Sequence, residues 1–521
     1  MLSATAATLA IGALSGPYPV TGALLGSGPP PLGRRPNLIL YFPDELRADA
    51  LACYGNPMVR TPNFDALAKR GTRFAECQVQ NPVCAQSRCS MLTGWPTSVR
   101  GHRSLFYLLR QSEPNMFRYL KNAGYDVFWF GKNDALAPES FGDSVTEWAD
   151  APRTGPSVLV GARPDGPLTM LMPGGGDRRA NSDYLTLQKA IRILERKEQD
   201  RPFCIFLPLF QPHPPYRAPD GFAGTYKPNA IPDLVPPNLP KKPNFHRGIR
   251  KEYGLDAVDD ATMRQVRATY YDQVAYADWL LGEMLEALER TGHVQDTALF
   301  VSSDHGDYAG DYGLVEKWPS GLESCLTHVP LIARVPGGAS GHVVEEMTEL
   351  FDIMPTFLDL AGTRATHTHF ARNLTAQLRG TAGDAKRAAF SEGGYNIYEP
   401  QAFEPSRGGI YAGKGALQNN DPAMISRTAS IKTRRYTYIS RPAGQDELYD
   451  RRNDPGEARN LIDESSLAPV RADMRRRLLN WYINTSGVPD EHRDERGTPE
   501  FIPDPIFPDA STRSTQLLDG M

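Results

Sequence analysis

Leu38-Ile39-Leu40-Tyr41-Phe42 runs directly into Pro43-Asp44-Glu45. An apolar run without alternation suits a strand buried on both faces, as in a parallel sheet covered by helices. The same pattern recurs at residues 127–130, 203–210 and 298–301. Helices with legible ends lie between these runs. Thr61-Pro62 supplies an N-cap and a first-turn proline, Gly71 closes the segment, and Phe64, Leu67 and Ala68 share a face. A longer helix is predicted over about residues 262–290, where Val266, Tyr270, Val274, Leu281, Leu285 and Leu288 keep helical spacing ahead of Gly292. This alternation predicts an α/β fold with a large, mostly parallel central sheet flanked by helices.

Sites in such sheets form beyond the carboxyl ends of the strands. Here the four runs are followed by Asp44-Glu45, by Lys132-Asn133-Asp134, by Gln211-Pro212-His213 and by Ser303-Asp304-His305. Carboxylates, a lysine and histidines are thereby predicted at one sheet edge. Asp44, Glu45, Asp304 and His305 could converge on a hard divalent cation, Ca²⁺ or Mg²⁺, with His305 also admitting Mn²⁺. Either pair alone could instead cap the helix that follows it.

Residues 81–94 read NPVCAQSRCSMLTG. Cys84 sits near a helix start with Arg88 one turn on, a positive field suited to an anionic substrate. Taken alone, Cys84 reads as a small buried cysteine in a turn. The wider pattern says more. Cys84-Ala85-Gln86-Ser87-Arg88 with Leu92-Thr93-Gly94 resembles the C-x-P-S-R-x-x-x-L-T-G signature of the formylglycine-dependent type I sulfatases of the alkaline phosphatase superfamily. Arg35-Pro36-Asn37 with Asp44-Glu45, Gly131-Lys132, Pro212-His213-Pro214-Pro215-Tyr216, Ser303-Asp304-His305-Gly306 and Glu316-Lys317 resemble further segments of that family, in order. So do Met354-Pro355-Thr356 and Glu447-Leu448-Tyr449-Asp450.

The resemblance implies a sulfuric ester hydrolase. Cys84 would be oxidised to formylglycine by a separate formylglycine-generating enzyme, and its hydrate would attack sulfur. Asp44, Glu45, residue 84, Asp304 and His305 would hold a divalent metal, Ca²⁺ first, Mg²⁺ or Mn²⁺ as alternatives. Arg88 would steady the nucleophile, Lys132 and Lys317 would clamp the sulfate oxygens, and His213 would face the leaving oxygen. Three positions depart from the family pattern. Gln86 replaces a proline, Glu45 an aspartate, and Asp134 a histidine, with His102 a candidate for a neighbouring polar role. A phosphonate monoester or phosphodiester hydrolase on the same fold is the alternative reading, and a non-catalytic binding protein of this fold is a third. Carbohydrate sulfates lead the substrate classes; aryl, steroid and choline sulfates stay open, as does oligomeric state.

The whole chain has 521 residues, 40% hydrophobic and 23% charged, and a net charge of -4, so no basic surplus points to nucleic acid. Six cysteines without CxxC spacing predict neither a zinc site nor a disulfide framework. Residues 4–14 form a short apolar stretch, read either as the core of an export leader or as a tail. Export would place the protein in the periplasm or outside the cell; otherwise it is cytoplasmic. No stable membrane insertion is expected. Residues 1–33 are assigned to this leader or tail and a linker, 34–415 to a catalytic domain, and 416–521 to a smaller α+β domain with a surface-wrapping tail. That smaller domain is predicted from the alternation at residues 431–439 and a helix over about 469–481. The Pro-rich stretch 214–262 is predicted to be an irregular loop on the pocket rim.

Overall fold

The computed structural model describes residues 35–152, 168, 170–196, 200–396 and 409–488. The leader, the linker up to residue 33 and nearly all of the C-terminal tail lie outside the described residues. Twelve strands are described. They are β1 (Asn37–Asp44), β2 (Thr72–Gln78), β3 (Asp126–Phe130), β4 (Glu147–Ala149), β5 (Phe203–Pro212), β6 (Thr297–Ser302), β7 (His328–Arg334), β8 (His342–Glu349), β9 (Ala389–Gly393), β10 (Thr428–Lys432), β11 (Tyr436–Ser440) and β12 (Glu447–Asp450). The first eight form one sheet in the order β4-β3-β5-β1-β6-β7-β2-β8. Its pairings are parallel except those of β7, which runs antiparallel to both β6 and β2.

The continuous apolar runs are explained by burial on both faces. Ile39 and Tyr41 enter one core, while Leu38, Leu40 and Phe42 enter the other. Ile205 and Leu207 divide from Cys204 and Phe206 in the same way. Four predicted strands therefore become the neighbours β3-β5-β1-β6, all parallel, with their carboxyl ends at one edge.

The predicted helices form at Pro62–Arg70 and Asp260–Arg290. The second starts slightly earlier than predicted because Asp259 caps it, accepting from the Thr262 amide at 2.8 Å. Asp278 ties the two together by accepting from the amides of Asn63 and Phe64, at 3.0 and 2.9 Å. The stretch 214–262 corrects the sequence expectation. It contains a helix, Asn244–Glu252, and two single 3₁₀ turns. Phe245 and Ile249, one turn apart, bury into the core and stabilise a helix that the surrounding prolines mask in the sequence.

The smaller sheet has the order β12-β11-β10-β9, all antiparallel, as the polar–apolar alternation predicts. Helix Ala468–Thr485 lays Met474, Leu478 and Trp481 on it, with Trp481 stacked on Phe390 at 5.0 Å. One of its strands, β9, lies ahead of residue 416 in the chain. All six cysteines are free thiols. No described helix is long and apolar enough to cross a membrane.

One glycine fixes the turn that delivers Lys132. Gly131 has φ 125°, and a Cβ there would lie 2.1 Å from the Pro208 carbonyl oxygen. The Lys132 amide donates to that same oxygen at 3.0 Å. Gly131→Ala is expected to destabilise by about 2–4 kcal/mol and to displace Lys132. Urea unfolding checks this; unchanged stability contradicts it.

Candidate active site

Helix Cys84–Thr93 begins at Cys84 and is buried along its whole length. It is held beneath the sheet edge by Ser87, whose hydroxyl donates to the Asp304 carbonyl at 2.6 Å. This places Cys84 Sγ 3.2 Å from His305 Nε2, 3.5 Å from Lys132 Nζ and 3.6 Å from Asp44 Oδ1. Burial, with Asp44 and Asp304 nearby, pushes the Cys84 thiol well up despite Lys132 and Lys317. An unconverted Cys84 is thus a protonated thiol, a poor nucleophile.

Arg88 projects one turn further and is fully buried. Its Nε donates to Asp304 Oδ2 at 2.9 Å, and its Nη2 to Asp44 Oδ2 at 3.0 Å. The fork thereby occupies the Oδ2 side of both carboxylates. Lys132 Nζ also reaches Asp44 Oδ2, at 2.6 Å, and Asp134 Oδ2, at 2.9 Å. Burial opposes charge on Asp44, but Lys132 and Arg88 outweigh it and hold its carboxyl well below the usual range. His305 Nδ1 must donate to the Gly306 carbonyl, 2.8 Å away, so its Nε2 presents a lone pair to the cluster. Burial, aided by Lys317, outweighs Asp304 and lowers His305 to about 4, keeping the ring neutral.

Asp44, Cys84, Asp304 and His305 therefore bring one donor atom each to within 4.8 Å of one another. Glu45 joins Asp44, Cys84 and His213 in a second, overlapping group of the same kind. Glu45 holds φ 63°, and its carbonyl accepts from Tyr270 OH at 2.7 Å. Its Oε1 is bound by Lys317 Nζ, and no donor reaches its buried Oε2 among the described residues. Burial, with Glu316, Asp307 and Asp44 beside it, pushes the Glu45 carboxyl well up. Converging carboxylates, a neutral imidazole lone pair and an orphaned carboxylate oxygen are the donor set a divalent cation requires. The residues present fit a metal.

Lys317 Nζ also contacts Glu316 Oε1 at 2.5 Å and His213 Nε2 at 3.5 Å. His213 donates from Nδ1 to the Pro214 carbonyl at 2.5 Å, leaving Nε2 as an acceptor. Burial, Lys317 and Lys132 lower its pKa well below the usual value, so this ring is neutral too. Gln86 Nε2 donates to the Arg103 carbonyl at 3.2 Å, tying the helix that begins at Cys84 to the neighbouring loop.

Sequence reasoning thus brings together Asp44, Glu45, Cys84, Arg88, Lys132, Asp134, His213, Asp304, His305 and Lys317. His102, the candidate for a neighbouring polar role, lies outside the donor groups. Its Nδ1 faces the Tyr107 carbonyl at 2.7 Å and its Nε2 faces Glu113 Oε1 at 3.0 Å. Both partners are acceptors, so both nitrogens carry protons. Burial opposes that charge, yet Cys89 and Glu113 raise His102 to about 10. The folded pKa lies above the unfolded value of about 6.5, so the stabilisation is complete below pH ~6.5 and is lost as pH rises towards 10. The stability gap between the native protein and His102→Gln is expected to close over that window in pH-dependent unfolding. A gap independent of pH contradicts the assignment. Sequence reasoning missed Tyr411 and Lys414, which reach the site from a stretch without motif or periodicity, and gave no role to Glu316.

Comparison with known proteins agrees with this geometry. The family description Sulfatase matches residues 36–363. The "Uncharacterized sulfatase YidJ" of Escherichia coli is 26% identical over 464 residues, covering 86% of this chain and 87% of that protein. Among solved structures, the phosphonate monoester hydrolase of Agrobacterium radiobacter superposes with TM-score 0.67 at 23% identity, covering 87% of this chain and 96% of that one. A structure described as being in complex with its substrate D-glucosamine-2-N,6-O-disulfate superposes with TM-score 0.68 at 18% identity, covering 88% of this chain and 100% of that one. The α/β architecture and its buried strand-edge cluster belong to a hydrolase of sulfuric esters. The chain is a member of the sulfatase family.

Proposed function

We propose that this sulfatase cleaves a sulfate monoester with residue 84 as formylglycine and with a divalent metal, Ca²⁺ first, beside it. The convergence of Asp44, residue 84, Asp304 and His305 within 4.8 Å carries the reading. Glu45, in the overlapping group with Asp44, residue 84 and His213, would supply a fifth donor. When bound, the metal lowers the pKa of a coordinated hydroxyl and polarises sulfate oxygens. Residue 84, as the hydrate of its aldehyde, would supply the hydroxyl nucleophile from its place beside Asp44, Lys132 and His305. The chain's own groups do the rest. Arg88 fixes the two aspartates, Lys132 and Lys317 offer ammonium protons to the sulfate oxygens, and His213 lines the leaving-group side. A carbohydrate sulfate is the proposed substrate class, supported by the likeness to the glucosamine disulfate complex.

Two measurements test this. Chelation is expected to abolish sulfatase activity, and Ca²⁺ at 100 times its Kd to stabilise the stripped protein by about 2.7 kcal/mol. Absence of both effects contradicts the metal assignment. In addition, kcat/KM on an aryl sulfate is expected to exceed that on the matching aryl phosphonate; the reverse order favours phosphonate ester hydrolysis.

A further inference from the structure

Helix Ala412–Asn420 packs against helix Asn244–Glu252, outside both strand edges that supply the core site. The helix and the residue that precedes it turn two side chains inward. Lys414 is buried, and its Nζ lies 2.9 Å from Glu316 Oε2 and 3.2 Å from Glu316 Oε1. The Lys414 amide donates to Tyr253 OH at 3.1 Å, which fixes the start of the helix. Just ahead of it, the half-buried Tyr411 places its hydroxyl 3.3 Å from His213 Nε2, and the two rings meet edge-on at 6.2 Å.

His213 Nδ1 faces the Pro214 carbonyl, so Nε2 is an acceptor. Three groups lie within reach of it, Glu45 Oε1 at 3.2 Å and two donors, Tyr411 OH at 3.3 Å and Lys317 Nζ at 3.5 Å. A hydroxyl donating there occupies the lone pair and leaves the ammonium of Lys317 for Glu45, Glu316 and a bound oxyanion. A ring held at both nitrogens also loses its freedom to flip, as a preorganised site requires.

We propose that Tyr411 is a positioning residue: its hydrogen bond to His213 Nε2 holds that imidazole, and through it Lys317, on the leaving-group side of the site. Tyr411 keeps its proton throughout and bonds to no substrate atom. Lys414 anchors the same arrangement by sharing Glu316 with Lys317. The inference rests on the proposed reading that His213 lines the leaving-group side, and the test separates the two.

The test is a series of aryl sulfates whose leaving phenols rise in pKa, turned over by the native protein, Tyr411→Phe, His213→Gln and the double variant, with Tm measured for each. Tyr411→Phe is expected to lose about tenfold in kcat/KM on the poorest leaving group and less than about twofold on the best, with Tm unchanged. The double variant is expected to be no worse than His213→Gln, because Tyr411 acts through that ring. A uniform loss across the series, a loss tracking a fall in Tm, or no loss overturns the Tyr411 proposal while a steepened series for His213→Gln leaves the site reading standing. A flat series for His213→Gln overturns the reading of His213, and the Tyr411 proposal with it.

Discussion

Cys84→Ala is expected to lower kcat/KM on a sulfate ester by at least about 10³-fold, because loss of a nucleophile removes a whole reaction path and not one contact. The fold should survive. Cys84 is a small side chain at the first turn of its helix, and trimming its sulfur leaves a minor void costing about 1 kcal/mol. Lys132 and Lys317 remain to bind sulfate in the variant, so KM should change far less than kcat. Residual activity within about tenfold of native would mean that another group attacks sulfur.

Arg88→Ala is expected to damage both stability and catalysis. Arg88 is fully buried between Asp44 and Asp304, with Nη2 3.0 Å from one carboxylate and 2.8 Å from the other. Its removal leaves buried negative charge facing negative charge, a loss of about 3–5 kcal/mol. Arg88→Lys should recover little, since an ammonium cannot fork between two carboxylates. The pH dependence gives the sign. The Asp44 carboxyl is held below its ordinary value against burial by Lys132 and Arg88, so their stabilisation is present above about pH 4 and is lost as pH falls through the depressed folded value. In metal-stripped protein the gap between native and Arg88→Ala should therefore be widest near neutrality and narrow in acid. A gap that widens in acid would contradict the ion-pair account.

Much of this site is legible in the sequence because the physics is local. Residues 38–42 are apolar without a break since both faces of β1 are covered, and a strand of that kind must be central and parallel. Its last residue, Asp44, then has to lie at the same edge as whatever follows β3, β5 and β6. The rest depends on contacts distant in sequence. Nothing in His328–Arg334 signals that β7 runs against its neighbours. Phe245 and Ile249 make a helix whose apolar face is two residues wide, too faint to read among prolines. His102 is a candidate for a polar role in the sequence, but its partner Glu113 is set by the loop and no motif records it. Tyr411 lies 198 positions from the histidine it touches, and no local pattern records that pairing.

The central claim concerns residue 84 itself. Gln86 stands where the resembling pattern has proline, and its side chain is committed to the Arg103 carbonyl in the folded protein. Whether the segment is converted before it folds decides the chemistry. The measurement is mass spectrometry of the peptide from Phe74 to Arg88, taken from protein produced together with a formylglycine-generating enzyme and assayed for sulfate ester hydrolysis in the same preparation. The account predicts the aldehyde at residue 84, in a fraction that rises and falls with the activity. Full activity from protein that carries unmodified Cys84 throughout would contradict it.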